Sequence, residues 1–294
     1  MGEVRITVLG TAQDGGFPQP GCSRECCQRV RENKSLRRHP VSLGIMGFDG
    51  STHLIEASRH MGEQFEIWTD YGSSEEQLSS VSITHAHLGH VDGLGLFGKE
   101  VMGLKHLKVH CSQSVATLIE RNPMWNSLFE QGVIQPIIWT PNASFEPSQG
   151  CGFTIRAIPV PHRDELSDNH ALLIESTDQN LLFMPDHDTW DETLGGTTIR
   201  QWLRDLNVNI ALIDGTFWDQ NELKHRDMDE IPHPTVREST ERLGSKLDDD
   251  VDIRFIHLNH TNPLCNPESN ESTKLASNGW LVANEGDSFT LERL

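Results

Sequence analysis

A histidine-rich segment, Thr-His-Ala-His-Leu-Gly-His at residues 84–90, constrains this chain more than any other feature, and it directly follows a short apolar run. Alternate residues of an extended segment point to the same side, so His85 and His87 can bind one ion together. His90 falls where the chain is expected to turn into a helix at 91–94. Because imidazole is the commonest side-chain ligand of zinc and also suits iron, this segment predicts a metal site.

Three later residues are candidates for the remaining ligands, because each comes directly after a short apolar run: His162, Asp186 and His257. Functional residues commonly lie on loops that a rigid sheet positions, so these side chains are expected to meet the histidine segment at one sheet edge. Asp186 is expected to bridge two cations and is the candidate catalytic residue.

Residues near these candidates offer further interactions. His187 and Asp188 follow Asp186 and are alternative ligands of a second cation, while Asp214, at the end of another apolar run, is expected to hydrogen-bond a ligand. The glycine-rich segment 10–16 follows a strand-like run, but it lacks the G-x-G-x-x-G spacing of a dinucleotide-binding loop. Nucleotide binding is therefore not expected there.

Short β-branched runs alternate with helical patterns along the chain, which is typical of an α/β protein. Nothing in the sequence marks a second domain, so residues 1–294 are predicted to form a single domain, with a long loop at about 218–233. Strands are predicted at 4–9, 81–83, 107–110, 153–158, 171–175, 181–184, 210–213, 253–256 and 280–283. Helices are predicted at 198–206, from Thr235 toward 247, and before a cap at 278–279.

The formal net charge of −19, from 24 basic and 43 acidic residues, argues against nucleic acid as a partner, since phosphate backbones are polyanions. No apolar run approaches the ~18 residues of a membrane span and no signal peptide is recognised, so a cytoplasmic protein without membrane contact is expected. A small-molecule substrate is the expected partner, and a homodimer is left open. One basic run could guide an anionic substrate: Arg29, Arg31, Lys34, Arg37 and Arg38.

Six cysteines occur, at positions 22, 26, 27, 111, 151 and 265. Their spacing does not suggest a disulfide framework in a chain of this length, and a tight cysteine cluster in a reducing cytosol more often binds metal. Cys22, Cys26 and Cys27 are therefore candidate ligands of a separate metal ion.

The order His-x-His-x-x-His, then a histidine, an aspartate and a late histidine, each after a strand, resembles the metallo-β-lactamase superfamily over nearly the whole chain. The resemblance implies an αββα sandwich, in which two facing mixed sheets are flanked by helices and metals bind at the sheet edge. It also implies one or two divalent cations (zinc, manganese or iron) held by His85, His87, His90, His162, Asp186 and His257.

One branch of the superfamily, the pyrroloquinoline-quinone biosynthesis protein B family, is especially similar at both ends of the chain. The similar segments are residues 8–11, 15–18, 214–218 and 255–263, together with Cys22. That family usually lacks histidines at the positions of His85, His87 and His162. Because this chain has all three, its active site resembles that of a working metallohydrolase more than it resembles that family.

A second branch, the cyclic phosphodiesterase of phosphonate breakdown, shares the cysteine-rich opening, the Arg37-Arg38-x-Pro40 segment and a His-x-x-His near the end. Both branches have a structural zinc at the cysteine-rich loop. The resemblance implies that a zinc ion is bound here by Cys22, Cys26, Cys27 and His260, and it leaves open which of Cys26 and Cys27 are ligands.

Gly89 departs from the superfamily pattern, which usually has at this position an aspartate that binds the second cation. Glycine has no side chain to offer, so the second site keeps only His90, His257 and the shared Asp186. The sequence therefore predicts that the second site is weaker than the first, and that Gly89→Asp strengthens it.

These features predict a metal-dependent hydrolase in which a metal-bound hydroxide attacks a phosphodiester, an ester or a lactone. The resemblance at the chain ends gives an alternative, a pyrroloquinoline-quinone biosynthesis B-like protein that carries out an iron-dependent, oxygen-using step. A third interpretation is a carrier of a precursor on a degenerate scaffold, which only Gly89 favours. Metal analysis separates zinc or manganese from iron and so discriminates between the enzymes.

Overall fold

The computed structural model describes residues 3–71, 78–223 and 231–294, and its strands form two seven-stranded sheets. The first sheet has the strand order β14-β1-β2-β3-β4-β5-β6, and the second has the order β13-β12-β11-β10-β9-β8-β7. In chain order the strands are β1 (Val4–Gly10), β2 (Ser42–Met46), β3 (Thr52–Ile55), β4 (Ser80–Ser82), β5 (Leu107–Cys111), β6 (Ile134–Ile138), β7 (Ser144–Phe145), β8 (Thr154–Val160), β9 (Asn169–Glu175), β10 (Leu181–Met184), β11 (Ile210–Asp214), β12 (Asp252–Ile256), β13 (Leu281–Val282) and β14 (Ser288–Leu291).

Helices lie in the connections between these strands. None of the helices among the described residues combines the length and apolar character that crossing a bilayer requires. Short 3₁₀ turns occur at Lys34–Leu36, Asp92–Phe97 and Pro263–Cys265. The α-helices are α1 (Glu25–Glu32), α2 (Met61–Ile67), α3 (Leu88–Val91), α4 (Gln113–Arg121), α5 (Pro123–Glu130), α6 (Trp190–Leu194), α7 (Ile199–Asp205), α8 (Val236–Leu243) and α9 (Asn270–Ser277).

The layers follow from the apolar faces of the strands. Along β10, Leu181 and Phe183 pack between the two sheets, whereas Leu182 and Met184 pack against the outer helices α6 to α9. Alternate residues of a strand point to opposite faces, so a strand buried on both sides needs a continuous apolar run. Helices α2, α4 and α5 cover the outer face of the other sheet. The αββα fold predicted from the sequence is therefore confirmed.

The strand directions bring the ends of several strands to one edge of the sandwich. Strand β1 is antiparallel to β2, and β2 is antiparallel to β3, so β1, β3 and the parallel β4 run in one direction. By the same reasoning β8, β10, β11 and β12 share one direction in the second sheet. The residues that follow these strands are thus gathered at common edges.

Most predicted elements agree with the structure. Each predicted strand ends within two residues of an observed strand end. The Thr235 hydroxyl accepts a hydrogen bond from the Glu238 amide at the start of α8, as predicted, but the helix stops at Leu243 because Gly244 has a φ of +66°. The helix expected from residue 91 begins earlier, as α3. Part of the predicted loop at 218–233, residues 224–230, lies outside the described residues.

Candidate metal centre

Three of the predicted ligands converge on one point. The Nδ1 atom of His87 lies 3.0 Å from His85 Nε2 and 3.1 Å from His162 Nε2. All three rings are buried, and they come from the ends of β4 and β8 in opposite sheets. Ligand atoms of a tetrahedral zinc, each about 2.0–2.1 Å from the ion, lie roughly 3.3 Å apart. The spacing of these nitrogens therefore fits a single cation.

The hydrogen bonds on the far sides of two rings fix which nitrogen faces that point. His162 donates from Nδ1 to Asp188 Oδ1 at 2.9 Å, and His87 donates from Nε2 to Glu165 Oε1 at 3.1 Å. A carboxylate only accepts hydrogen bonds, so each ring carries its proton on the outer nitrogen. The inner nitrogens then present two lone pairs to each other, an arrangement that a bound cation stabilises.

Burial also keeps these rings neutral. It lowers the pKa of His85 well below its usual range, and it lowers the pKa of His87 as well. Neutral imidazole is the form that binds a metal ion. The charge state of both rings at neutral pH is therefore the one that a metal site needs.

A second cluster lies beside the first. His90 Nε2 is 3.5 Å from Asp14 Oδ1, and His257 Nε2 is 3.8 Å from the same oxygen. On the other side of each ring, His257 Nδ1 is hydrogen-bonded to the Thr216 hydroxyl at 2.9 Å, and His90 Nδ1 lies at an ion-pair distance of 3.4 Å from Glu56 Oε1. The inner nitrogens of both rings are thus directed toward the Asp14 carboxylate.

Asp186 lies between the two clusters. Its Oδ2 atom is 3.3 Å from His90 Nε2, and its Oδ1 atom is 3.4 Å from His257 Nδ1 and 3.9 Å from His162 Nε2. Burial raises the pKa of Asp186, but positive charge at His257 and the hydrogen bond with His90 outweigh burial and hold the pKa well below its usual range. An ionised carboxylate that approaches histidines of both clusters to 3.3–3.9 Å would be available to a cation at either cluster. The bridging role of Asp186 stays a prediction from the sequence.

Two residues of the centre have a left-handed backbone, which is uncommon outside glycine. Glu56 has a φ of +67° and His257 has a φ of +64°. Such conformations cost about 1–3 kcal/mol each and persist where the surrounding structure requires them, often at functional sites. Here they direct a carboxylate and an imidazole into the second cluster.

The structure also shows residues that the sequence did not identify or placed differently. Asp14, Glu56 and His233 were not predicted to belong to the centre. His233 donates from Nδ1 to Asp214 Oδ2 at 2.7 Å, and its Nε2 atom has no hydrogen-bond partner among the described residues. His187 packs against Trp190. Asp188, considered as a direct ligand, instead contacts the far side of the His162 ring.

We expect Asp188→Asn to weaken cation binding about 10- to 100-fold, because outer carboxylates orient ligating histidines and raise their basicity. The amide that replaces the carboxylate can donate a hydrogen bond to His162 Nδ1 as well as accept one, so the preferred tautomer of His162 is no longer fixed. Calorimetric metal titration of the variant measures the effect. Asp205→Asn, which changes an exposed carboxylate on α7, is the control and should bind metal like the unmodified protein.

The cysteine cluster is brought together as well. His260 Nδ1 lies 3.5 Å from Cys27 Sγ and 3.7 Å from Cys26 Sγ, and with Cys22 the four ligand atoms all lie within 4.8 Å of one another. Cys26 and Cys27 stand at the start of α1, and His260 follows the metal-centre residue His257 by three positions. The sequence did not decide which of Cys26 and Cys27 are ligands. Both thiols lie close enough to His260 and Cys22 to share one ion with them.

Comparisons with known proteins agree with this architecture. The chain is 23% identical over 316 residues to coenzyme PQQ synthesis protein B of Xanthomonas axonopodis pv. citri (strain 306), covering 96% of this chain and 98% of that protein. The crystal structure of Zn²⁺-bound PqqB from Methylobacterium extorquens superposes with a TM-score of 0.78 at 19% identity, covering 97% and 99% of the two chains. A diphosphatase of the PhnP family gives a TM-score of 0.67 at 18% identity, covering 99% of each chain.

The family assignment rests on a direct match as well as on the fold. Residues 54–248, about two thirds of the chain, match the family model of the beta-lactamase superfamily domain. The matched region includes the histidine segment, His162 and Asp186. This chain belongs to the β-lactamase superfamily and has the metallo-β-lactamase fold.

Proposed function

We propose that this chain is a metal-dependent hydrolase that acts on a phosphodiester, an ester or a lactone of a small molecule. The observation that carries the proposal is the convergence of His85, His87 and His162. His87 Nδ1 lies 3.0 Å from His85 Nε2 and 3.1 Å from His162 Nε2, and Asp186 lies beside them. Three imidazole nitrogens and a carboxylate form a donor set that suits zinc, manganese or iron.

The roles of the residues follow from their positions. His85, His87 and His162 would hold one cation, His90 and His257 would contribute to a second, and Asp186 would be available to either. A divalent cation bound here supplies a Lewis acid and a water whose pKa falls to about 7. Asp214 fixes the ring of His233, so that Nε2 is left to contact the substrate or a water at the centre.

The cavity next to the second cluster favours an anionic substrate. It has a volume of about 560 Å³, and its lining includes Asp14, Arg24, Arg59 and Arg163. Three arginines at one opening are notable in a chain with a net charge of −19. Guanidinium groups bind phosphate and carboxylate oxygens well. The three arginines that line this cavity support an anionic substrate, so we favour a phosphodiester.

Metal removal and replacement test the proposal. Protein purified without chelators is analysed for metal, stripped, and reloaded separately with Zn²⁺, Mn²⁺ and Fe²⁺ before assays on a panel of phosphodiesters, esters and lactones. We expect stripping to abolish turnover and at least one cation to restore it. A protein whose activity survives complete removal of the active-site metal, or that turns over none of these substrates with any cation, would contradict the proposal.

The arginine contribution gives a separate prediction. We expect Arg163→Ala and Arg24→Ala each to lower kcat/KM for a phosphodiester about tenfold, since a hydrogen bond to a charged group contributes about 1.5–3 kcal/mol when it is fully made. A neutral lactone should be affected less. Arg204→Ala, on the exposed surface of α7, is the control. Equal losses for the charged and neutral substrates would show that these arginines do not recognise charge.

The name of the curated relatives, coenzyme PQQ synthesis protein B, favours a second candidate, a protein of pyrroloquinoline-quinone biosynthesis. For this candidate the sequence suggests an iron-dependent, oxygen-using step. It is distinguishable by the metal that co-purifies and by oxygen consumption, which hydrolysis does not require. The three intact histidines of the first cluster suit either metal, but they fit a hydrolase without further assumptions. We therefore favour the hydrolase.

We also propose that Cys22, Cys26, Cys27 and His260 hold a structural zinc. Three thiolates and one imidazole are a common ligand set of closed, tetrahedral zinc sites. The ion would join the start of α1 to the loop that carries His257. Its role would be to stabilise the fold at the side of the metal centre.

A further inference from the structure

The surroundings of Gly89 indicate which carboxylate would bind the second cation. The resemblance to the superfamily places a carboxylate ligand at this position, and glycine cannot supply one. Gly89 lies within the helical segment α3 and is not one of the glycines with positive φ. A larger residue is therefore compatible with its backbone conformation, so something other than φ accounts for the glycine here.

The side chain of Asp14 occupies the space that a side chain at position 89 would fill. A Cβ atom added to Gly89 would lie 2.6 Å from Asp14 Cγ and 2.7 Å from Asp14 Cα, and closer still to Asp14 Oδ1. These separations are far below van der Waals contact. The carboxylate of Asp14 and a side chain at 89 therefore exclude each other, and this chain has the former.

Asp14 is also held in place by its own loop. The Gln13 amide donates to the Leu258 carbonyl at 2.9 Å, and the Gly16 amide donates to the Gln13 carbonyl at 2.7 Å. Gln13 immediately precedes Asp14, and Leu258 immediately follows His257. The backbone hydrogen bond between them therefore ties the loop after β1 to the loop after β12. The Asp14 carboxylate is thereby fixed next to one of the second-cluster histidines.

The contacts of Asp14 complete a ligand set. Its Oδ1 atom, His90 Nε2 and His257 Nε2 lie within 4.8 Å of one another, and Asp186 Oδ2 is 3.3 Å from His90 Nε2. Two imidazoles and two carboxylates balance the charge of a divalent cation better than two imidazoles and a shared carboxylate. The side chain of Asp14 remains partly exposed at 41%, so an ion bound here would be accessible from the cavity.

We propose that Asp14 is the carboxylate ligand of the second cation, supplied by the loop after β1 in place of a residue-89 carboxylate. This inference rests on the metal centre of the proposed function. It reverses both expectations that the sequence gave for Gly89. The second site is complete, and Gly89→Asp weakens it, because the new side chain would displace Asp14 rather than add a ligand.

Titration with Mn²⁺ tests the proposal without any assay of turnover. Mn²⁺ prefers carboxylate and imidazole ligands to thiolates, so it reports on the metal centre and not on the cysteine cluster. Electron paramagnetic resonance counts the bound ions and detects the magnetic coupling of two neighbouring Mn²⁺ ions. We expect the unmodified protein to bind two coupled ions, and Asp14→Asn to keep the first while losing at least about tenfold in affinity for the second.

Two further variants make the result decisive. Gly89→Ala should lose the same affinity for the second ion with Asp14 still present, because its Cβ displaces the carboxylate. This variant also keeps the proposal testable if Asp14→Asn does not fold. Asp164→Asn removes an exposed carboxylate from the loop after β8 and should titrate like the unmodified protein.

A single bound ion in the unmodified protein, or an unchanged second ion in Asp14→Asn, would overturn the assignment of Asp14. An unmodified protein that binds no Mn²⁺, Zn²⁺ or Fe²⁺ outside the cysteine cluster would refute the proposed function as well.

Discussion

His87→Ala and His85→Ala are each expected to abolish hydrolysis and to reduce the metal bound at the first cluster, while the protein stays folded. Removing either ring leaves two of the three converging nitrogens, and a cation held by fewer protein ligands dissociates more readily. Even a partner that only orients a ligand contributes about 10- to 100-fold to metal affinity. The loss of a direct ligand should therefore reach at least about a hundredfold.

The fold should survive because the rings lie outside the three apolar clusters that hold the layers together. In the metal-free protein the two inner lone pairs of His87 and His162 face each other at 3.1 Å. Truncating His87 removes that repulsion, so the metal-free variant should melt no lower than the metal-free unmodified protein. Metal content and melting temperature, measured on the same samples, separate the loss of a ligand from unfolding.

His60→Ala is the matched control, since His60 is partly buried and lies outside both histidine clusters. It should keep full metal content and activity. Full metal content in His87→Ala or His85→Ala would mean that these rings do not bind the ion. The assignment of the first cluster would then be wrong, and the proposed chemistry would lose its main support.

The first cluster could be predicted because its evidence is local. His85 and His87 are two residues apart in an extended segment, so the sequence itself places them on one side. His162 and Asp186 each follow an apolar run long enough to be recognised as a strand. The structure brings all four to one edge, as the spacing suggested.

Asp14 and Glu56 were missed because their places depend on pairing between distant strands. Asp14 lies four residues past β1, and only the two antiparallel pairings through β2 reveal that β1 runs in the direction of β3 and β4. Glu56 directly follows β3, whose sequence Thr-His-Leu-Ile contains a buried histidine. A polar residue within four positions weakens the apolar pattern on which strand prediction relies.

Other elements were not predicted because they contain proline or lack a regular apolar pattern. Strand β6 contains Pro136, which normally argues against a strand, and it is tolerated here because β6 is the last strand of its sheet. Helix α1 buries only Cys27 and Val30, so its sequence lacks an apolar stripe. His233 lies in a polar segment with prolines on both sides of it, where neither helical nor strand periodicity gives a signal.

Cys22→Ser and His260→Ala are expected to lower the melting temperature by about 5–10 °C while leaving the ligands of the metal centre in place. A structural zinc contributes its binding energy to folding, and about 1 kcal/mol corresponds to roughly 2–4 °C in a domain of 150–250 residues. Serine is close to cysteine in size, and Cys22 is only partly buried, so lost packing cannot account for a shift of this magnitude.

Chelation separates zinc loss from other causes of destabilisation. A strong chelator should lower the melting temperature of the unmodified protein to that of Cys22→Ser, and it should change the variant little, because the variant has already lost the ion. Ser23→Ala, at an exposed position in the same loop, should keep both its zinc and its melting temperature.

The loop from His257 to His260 is shared with the metal centre, so indirect damage from either substitution would appear there. Mn²⁺ titration of the metal centre therefore accompanies the melting curves. Unchanged melting and unchanged zinc content in both Cys22→Ser and His260→Ala would mean that the four side chains meet without holding an ion.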